Sequence, residues 1–193
     1  DNFFFTENDL AAYAVKHYNF TTHEGFNAGI WRNDNATDNQ AATDYDKKWI
    51  PGQWKVPEAY DNPASNDPWY FSAIREANYF LETVVPRFEK GEIEGSETNI
   101  KHYIGEMYFL RAKNYLSKLE TFGDFPIIKN TLPDESASLI QASKREPRHK
   151  VARFILEDLD LAIGLLTNTI SGGKNRITQN AALLLKSRAA LYE

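Results

Sequence analysis

The stretch 105-GEMYFLRAKNYLSKLETFGDFPII-128 decides the fold. Ile100, Tyr103, Ile104, Met107, Tyr108, Ala112, Tyr115 and Leu119 recur at helical spacing in and just before it, which predicts one long helix over 98–122. Gly123 follows as the residue that takes a left-handed stop at a helix end. The apolar Phe125-Pro126-Ile127-Ile128 beyond it is expected to fold back over the helices it has left.

Further helices are read outward from this one. In 6-TENDLAAYAVKHYNF-20, Thr6 is an N-cap, Asp9 is the acidic partner of a capping box, and Leu10, Tyr13, Ala14 and His17 share a face. In 69-WYFSAIREANYFLETVV-85 the face is Trp69, Ala73, Ala77, Phe80, Leu81 and Val84, and Pro86 is expected to end the helix. Another starts at Pro147 and presents Val151, Phe154, Ile155, Leu159, Ala162, Ile163 and Leu166. After the turn 171-SGGKNR-176, Thr178 caps a helix over 180–193 with a stripe of Leu184, Leu185, Ala189 and Tyr192. That stripe runs out without a stop signal, so the C-terminus reads as a cut. Small residues (Ala73, Ala77, Gly105, Ala112, Ala181, Ala182, Ala189) mark close helix approaches. The fold class is mostly α, with tetratricopeptide-like helical hairpins and one long aromatic-rich loop over 21–68. Strand signal is confined to short possibilities at 29–32 and 47–55.

A length of 193 residues suits one domain, or two small ones. A formal charge of −5 argues against nucleic acid, which wants a basic footprint. The absence of cysteine excludes a disulfide framework and thiolate-bound metal. No apolar run approaches the roughly 20 residues of a bilayer span. The opening 1-DNFFFTENDL-10 has neither the basic nor the apolar region of a signal peptide.

Most catalytic and metal chemistry fails on spacing. The acidic 34-DNATDNQAATDY-45 has Asn39 and Tyr45 where a calcium loop needs Gly and Glu. Gly172-Gly173-Lys174 lacks the first glycine of a phosphate loop, whose place Asn168 holds. His17, His23, His102 and His149 have no zinc spacing. Glu157 and Asp158 are adjacent on a helix and face different ways, against a paired acid and base. The sequons 19-NFT-21 and 35-NAT-37 matter only in a glycosylating host. No catalytic constellation, metal site or cofactor is expected, and the chain does not read as an enzyme.

The loop is the exception, because long ordered loops are usually functional. Sugars offer flat C–H faces that stack on aromatic rings, and hydroxyls that bond to amides and carboxylates. Trp31, Tyr45, Trp49 and Trp54 supply the rings, and Asn33, Asp34 and Asn39 supply the polar groups. The competing reading is that Trp49 and Trp54 only pin the loop to the helices.

Several blocks then match one family in order. The segments 3-FFFTENDLAAYAVKHYNF-20, 69-WYFSAIREANYFLE-82, 105-GEMYFLRAKNYLSKLETFGDFPII-128, Arg145, 151-VARFILEDLDLAIGLL-166 and 173-GKNRITQNAALLLKSRAALYE-193 resemble SusD/RagB-type nutrient-binding lipoproteins. The most specific match is to "E-x-x-F-L-R-A … G-D-x-P-L-I". Departures are Lys113, Asn114, Glu120, and Asn175-Arg176 in place of Gly-Arg. The resemblance makes Trp69, Asn78, Glu106, Arg111, Gly123, Asp124, Pro126 and Asp158 signature positions, and Arg111 is expected to pair with a carboxylate or carbonyl without touching ligand.

The resemblance implies a lipid-anchored protein on the outward face of a Bacteroidetes outer membrane. It implies binding of oligosaccharide for a SusC-type TonB-dependent transporter, or of peptide in the RagB branch. Family chains are longer, so residues 1–193 are expected to be an N-terminal helical-repeat portion without the lipid-bearing start and the C-terminal half. A helical-repeat adaptor that binds only protein stays open as an alternative.

Overall fold

The computed structural model describes residues 3–18, 50–52, 69–169 and 175–193. The chain divides into one compact unit of Asp1–His17 with Ala59–Glu193 and a second of Tyr18–Glu58. In the second, residues 50–52 form an exposed turn. The strand possibilities at 29–32 and 47–55 lie outside the described residues, apart from that turn. Among the described residues there are helices and two isolated bridges, Thr6 with Glu94 and Phe125 with Glu146, so the chain is mostly α.

Helix α1 spans Glu7–Lys16. Its capping box forms as the sequence predicts: Thr6 Oγ1 accepts from the Asp9 amide at 3.3 Å, and Asp9 Oδ2 accepts from the Thr6 amide at 3.1 Å. Leu10 and Ala14 are buried, and the Tyr13 hydroxyl donates to the Glu76 carbonyl. Ahead of α1, Phe4 has a φ of 70° and is buried between the rings of Tyr13 and Phe80. Burial of the ring offsets the cost of the left-handed backbone.

Helix α2 spans Ser72–Glu89 and runs through Pro86, which the sequence expects to end it. Proline removes one ladder bond and strains the preceding turn. Here Pro86 faces solvent, where water can meet the released carbonyl, and tertiary contacts hold the last turn. Arg87 donates to the Phe3 carbonyl at 2.6 Å and lies over the Phe5 ring at 4.2 Å.

Helix α3, Glu97–Phe122, is the central element, about 39 Å long at 1.5 Å per residue. It is buried on most of its faces because α1, α2 and two later helices all pack on it. A Cβ at Gly105 would stand 3.0 Å from Leu165 and Leu166 side-chain atoms, so the glycine permits that crossing. Gly123 then ends α3 at φ +71°, its amide bonded to the Leu119 carbonyl. A Cβ there would meet open space, so the requirement is for the backbone conformation alone.

The exit from α3 folds back, as its apolar content requires. Phe125 is fully buried and packs against Trp69, Phe71, Tyr115 and Phe122, with ring centroids 5.1–6.3 Å apart. Its amide and carbonyl pair reciprocally with Glu146 at 3.1 Å. Asp124 Oδ1 accepts from the Arg148 amide at 2.8 Å, capping the next long helix from outside.

Helix α4, Ser136–Ala142, is absent from the sequence expectation. It buries none of its residues, so no apolar stripe announces it. Helix α5, Arg148–Leu165, follows Pro147 and buries Val151, Ala152, Phe154, Ile155, Asp158, Leu159 and Ala162. Helix α6, Gln179–Tyr192, starts from Thr178, whose Oγ1 accepts from the Ala181 amide at 3.3 Å. Its expected stripe is buried only at Ala189, with Ala182 beside it, while Leu184 is 73% and Tyr192 44% exposed. The approach to α5 admits only small side chains, which turns the leucines outward. Consecutive helices pair as α2 with α3 and α5 with α6, and α3 against α5 joins the pairs.

Truncating the hub tests this packing. Phe125→Ala is expected to destabilise the chain by about 3–5 kcal/mol, the range for large buried aromatics, as a fall in the urea midpoint. A loss under about 1 kcal/mol would show that the exit segment is not part of the core.

Candidate functional site

Three of the positions marked by the resemblance, Asn78, Arg111 and Asp158, meet inside the α2–α3–α5 packing. Arg111 Nε and Nη2 donate to Asp158 Oδ2 and Oδ1 at 2.7 and 2.8 Å, a bidentate fork. Arg111 Nη1 donates to Asn78 Oδ1 at 2.8 Å and to the Lys129 carbonyl at 3.4 Å. Asn78 Nδ2 in turn donates to the carbonyls of Ile128 at 2.8 Å and Asn130 at 3.4 Å. The Tyr115 hydroxyl completes the attachment, donating to the Ile128 carbonyl at 3.1 Å and accepting from the Ile128 amide at 2.8 Å. The guanidinium carbon lies 5.4 and 5.2 Å from the ring centres of Tyr108 and Phe154. The fork ties α3 to α2, to α5 and to the 128–130 strap.

Burial pushes the Asp158 carboxyl above the ordinary carboxylate range, and the Arg111 fork opposes that shift. Burial likewise pushes the Tyr115 and Tyr13 phenols up to about 12.

A second buried cluster was not read from spacing. Glu106 is fully buried on α3 and receives Arg176 Nε at 2.8 Å and Nη2 at 2.5 Å. Arg176 also reaches the Ala11 carbonyl at 3.3 Å, which links α1 to the segment before α6. On the other side of Glu106, His102 Nε2 stands 3.1 Å from Oε1. The Thr167 amide donates to His102 Nδ1 at 3.2 Å, which leaves the ring proton to Nε2, and among the described residues that nitrogen makes no hydrogen bond. The sequence singled out Glu106, while Arg176 entered only as a departure from Gly-Arg and His102 as one of four scattered histidines. His102 and Glu106 stand one turn apart on α3, at i and i+4, whereas Thr167 and Arg176 reach them only through tertiary packing.

Neither cluster is arranged for acid–base work. Each carboxylate is sealed from solvent and held by an arginine. Gly123, Asp124 and Pro126 serve the exit from α3: the first turns it, the second caps α5, and the third is buried beside Phe125. Trp69, half-buried, packs on Phe122 at 4.1 Å between ring centroids and carries Arg145 at 4.9 Å. The proposed ligand-binding set of Trp31, Asn33, Asp34, Asn39, Tyr45, Trp49 and Trp54 lies outside the described residues.

A cavity of about 340 Å³ opens beside Trp69, between the first turns of α2, the strap and α4. Its walls are mostly apolar, from Trp69, Phe71, Ile74, Pro126, Ile128 and Leu132, with Leu139 of α4 at the edge. Arg75, Asn78, Asn130 and Ser143 add polar groups. Three separate segments build it, which is why no single stretch of sequence shows it. Among the described residues, no helix is long and apolar enough to cross a membrane.

Comparison with known proteins places the chain. The SusD-like family described as starch-binding and associating with outer membrane matches residues 2–191, and the chain belongs to that family. A solved SusD-like protein from Bacteroides fragilis is 30% identical, with a TM-score of 0.56 over 67% of this chain and 24% of its own. A laminarin-binding SusD-like protein is 26% identical, with a TM-score of 0.50 over 61% of this chain and 24% of its own. A SusD-like carbohydrate-binding protein from Bacteroides fragilis, 21% identical, matches in fold alone, with a TM-score of 0.50 over 60% of this chain and 21% of its own. The chain spans about a quarter of the length of these solved relatives. No curated protein matches it.

The fork has a direct test. Arg111→Met leaves Asp158 as an unpaired buried carboxylate and is expected to cost about 3–5 kcal/mol. Adding Asp158→Leu is expected to restore most of that in a double-mutant cycle, whereas additive losses would show that the two do not act as a unit. Alkali tests the phenols. The folded chain keeps the Tyr115 and Tyr13 protons between pH 10 and about 12, where the unfolded chain releases them. Stability is therefore full below pH 10 and falls as pH rises toward about 12. Phenolate absorbance for these two rings should appear only with loss of helix; their ionisation near pH 10 in the folded chain would contradict the assignment.

Proposed function

We propose that the chain is the N-terminal helical-repeat portion, residues 1–193, of a non-catalytic glycan-binding protein of the cell surface. The longer protein is lipid-anchored at the outward face of the outer membrane and delivers oligosaccharide to a SusC-type TonB-dependent transporter. Family membership across residues 2–191 carries this reading. The laminarin-binding relative supports a glucan as the ligand class, and the chain's share of its relatives' length supports a further C-terminal part. The buried arginine–carboxylate clusters give the signature residues a supporting role, which leaves ligand capture to other surfaces. We assign capture to the aromatic loop: Trp31, Tyr45, Trp49 and Trp54 stack on sugar rings, and Asn33, Asp34 and Asn39 bond hydroxyls.

The test is calorimetric titration of the full-length protein against starch-derived, laminarin-derived and other neutral oligosaccharides. One glycan class should give saturable heat, and Trp31→Ala, Trp49→Ala and Trp54→Ala together should abolish it with helix content unchanged. Silence across the panel would overturn the glycan reading. Full binding by the triple variant would remove the loop from it.

A further inference from the structure

The cavity beside Trp69 has a chemistry that the glycan reading does not use. Among the described residues no carboxylate lines it, and Arg75 is the one formally charged side chain in its wall. Among the described residues the Arg75 guanidinium forms no hydrogen bond or ion pair; its backbone amide bonds to the Phe71 carbonyl, and Tyr13 is its electrostatic neighbour. The adjacent Glu76 is engaged elsewhere, 3.1 Å from His17 Nδ1 and 3.4 Å from the Ser72 hydroxyl. A second cation, Arg145, lies over the Trp69 ring that forms part of the wall. The Asn78 amide is committed to Arg111 and the strap carbonyls, so few polar groups remain to read sugar hydroxyls. Leu139 lines the space while 44% exposed, an apolar surface facing solvent.

The geometry points to a binding site for a compact apolar carboxylate, its hydrocarbon part against Trp69, Phe71 and Ile74 and its charge on Arg75. The charge sign follows from Arg75, the one charged side chain that the described residues place in the wall. The size follows from the volume, which lies at the lower end of ligand pockets, about 300–1,000 Å³, and suits one aromatic or branched aliphatic group better than an oligosaccharide. Two sources share this chemistry, a free aryl or alkyl acid and the C-terminal apolar residue of a peptide. The inference stands on the cavity alone and does not require the glycan reading.

The test titrates the 193-residue chain with four probes: hydrocinnamate, hydrocinnamyl alcohol, N-acetylphenylalanine and its amide. Binding is followed by ligand-observed NMR, with helix content checked in parallel. Each acid is expected to bind about tenfold or more tightly than its neutral counterpart, the scale of one charge-assisted hydrogen bond. Arg75→Gln, a change at an exposed residue, should remove that preference and leave the neutral probes unchanged. Preference for N-acetylphenylalanine over hydrocinnamate assigns a peptide terminus, and the reverse assigns a free acid; either upholds the site. Equal binding of acids and neutral probes, acid preference that survives Arg75→Gln, or no saturable binding to the folded chain would overturn it.

Discussion

The burial of one guanidinium constrains most of this fold. Arg111 sits midway along the central helix, and a charge taken out of water must find partners or cost several kcal/mol. It finds them on α5 through Asp158, on α2 through Asn78 and on the strap through the Lys129 carbonyl. Each partner fixes a different element, so the helices must lie where one planar fork can reach all of them. Apolar burial drives the association, and the fork selects the arrangement. A Lys in its place offers a point charge without the planar pair of bonds.

The exit from α3 answers to the same constraint. Gly123 reverses the chain, Phe125 fills the space among Trp69, Phe71, Tyr115 and Phe122, and Asp124 caps α5. The strap that follows lies against α2 and α3 because Asn78 and Tyr115 bond its backbone. Without those bonds its polar groups would have to remain in water, and the apolar residues beside them could not stay buried. The cavity beside Trp69 is what the strap and α4 leave open. The second cluster, of Glu106, Arg176 and His102, performs the analogous task for α1 and the segment leading to α6. Asn78, Glu106, Arg111 and Asp158 therefore form a frame of buried polar bonds.

Much of that frame was legible in residues. Helical period placed the apolar faces of α2, α3 and α5, and local chemistry marked Thr6 with Asp9, Gly123 and Thr178. Asn78, Glu106, Arg111 and Asp158 stood out only by family resemblance, because to a periodicity argument a buried charge is an interruption. Its partner lies 33 to 70 residues away, at no spacing that a helix defines. Pro86 misled because its local penalty was read without Arg87, whose bonds to the N-terminal segment hold the last turn. The α6 leucines misled because apolar residues were equated with the buried face, where the close approach to α5 instead selects alanine. Helix α4 carried no signal, since it buries nothing. The ligand-binding residues proposed in the aromatic loop fall outside the described ones.

The strap belongs to the cooperative core through the polar bonds gathered around Arg111. Native-state amide hydrogen exchange at Ile128 tests it most directly, because that amide bonds to the Tyr115 hydroxyl rather than to a secondary-structure ladder. Ile128 is expected to exchange with the slowest amides of α3 and α5, at the free energy of global unfolding. Exchange as fast as that of the exposed α4 amides would contradict it and make the strap a loosely attached loop.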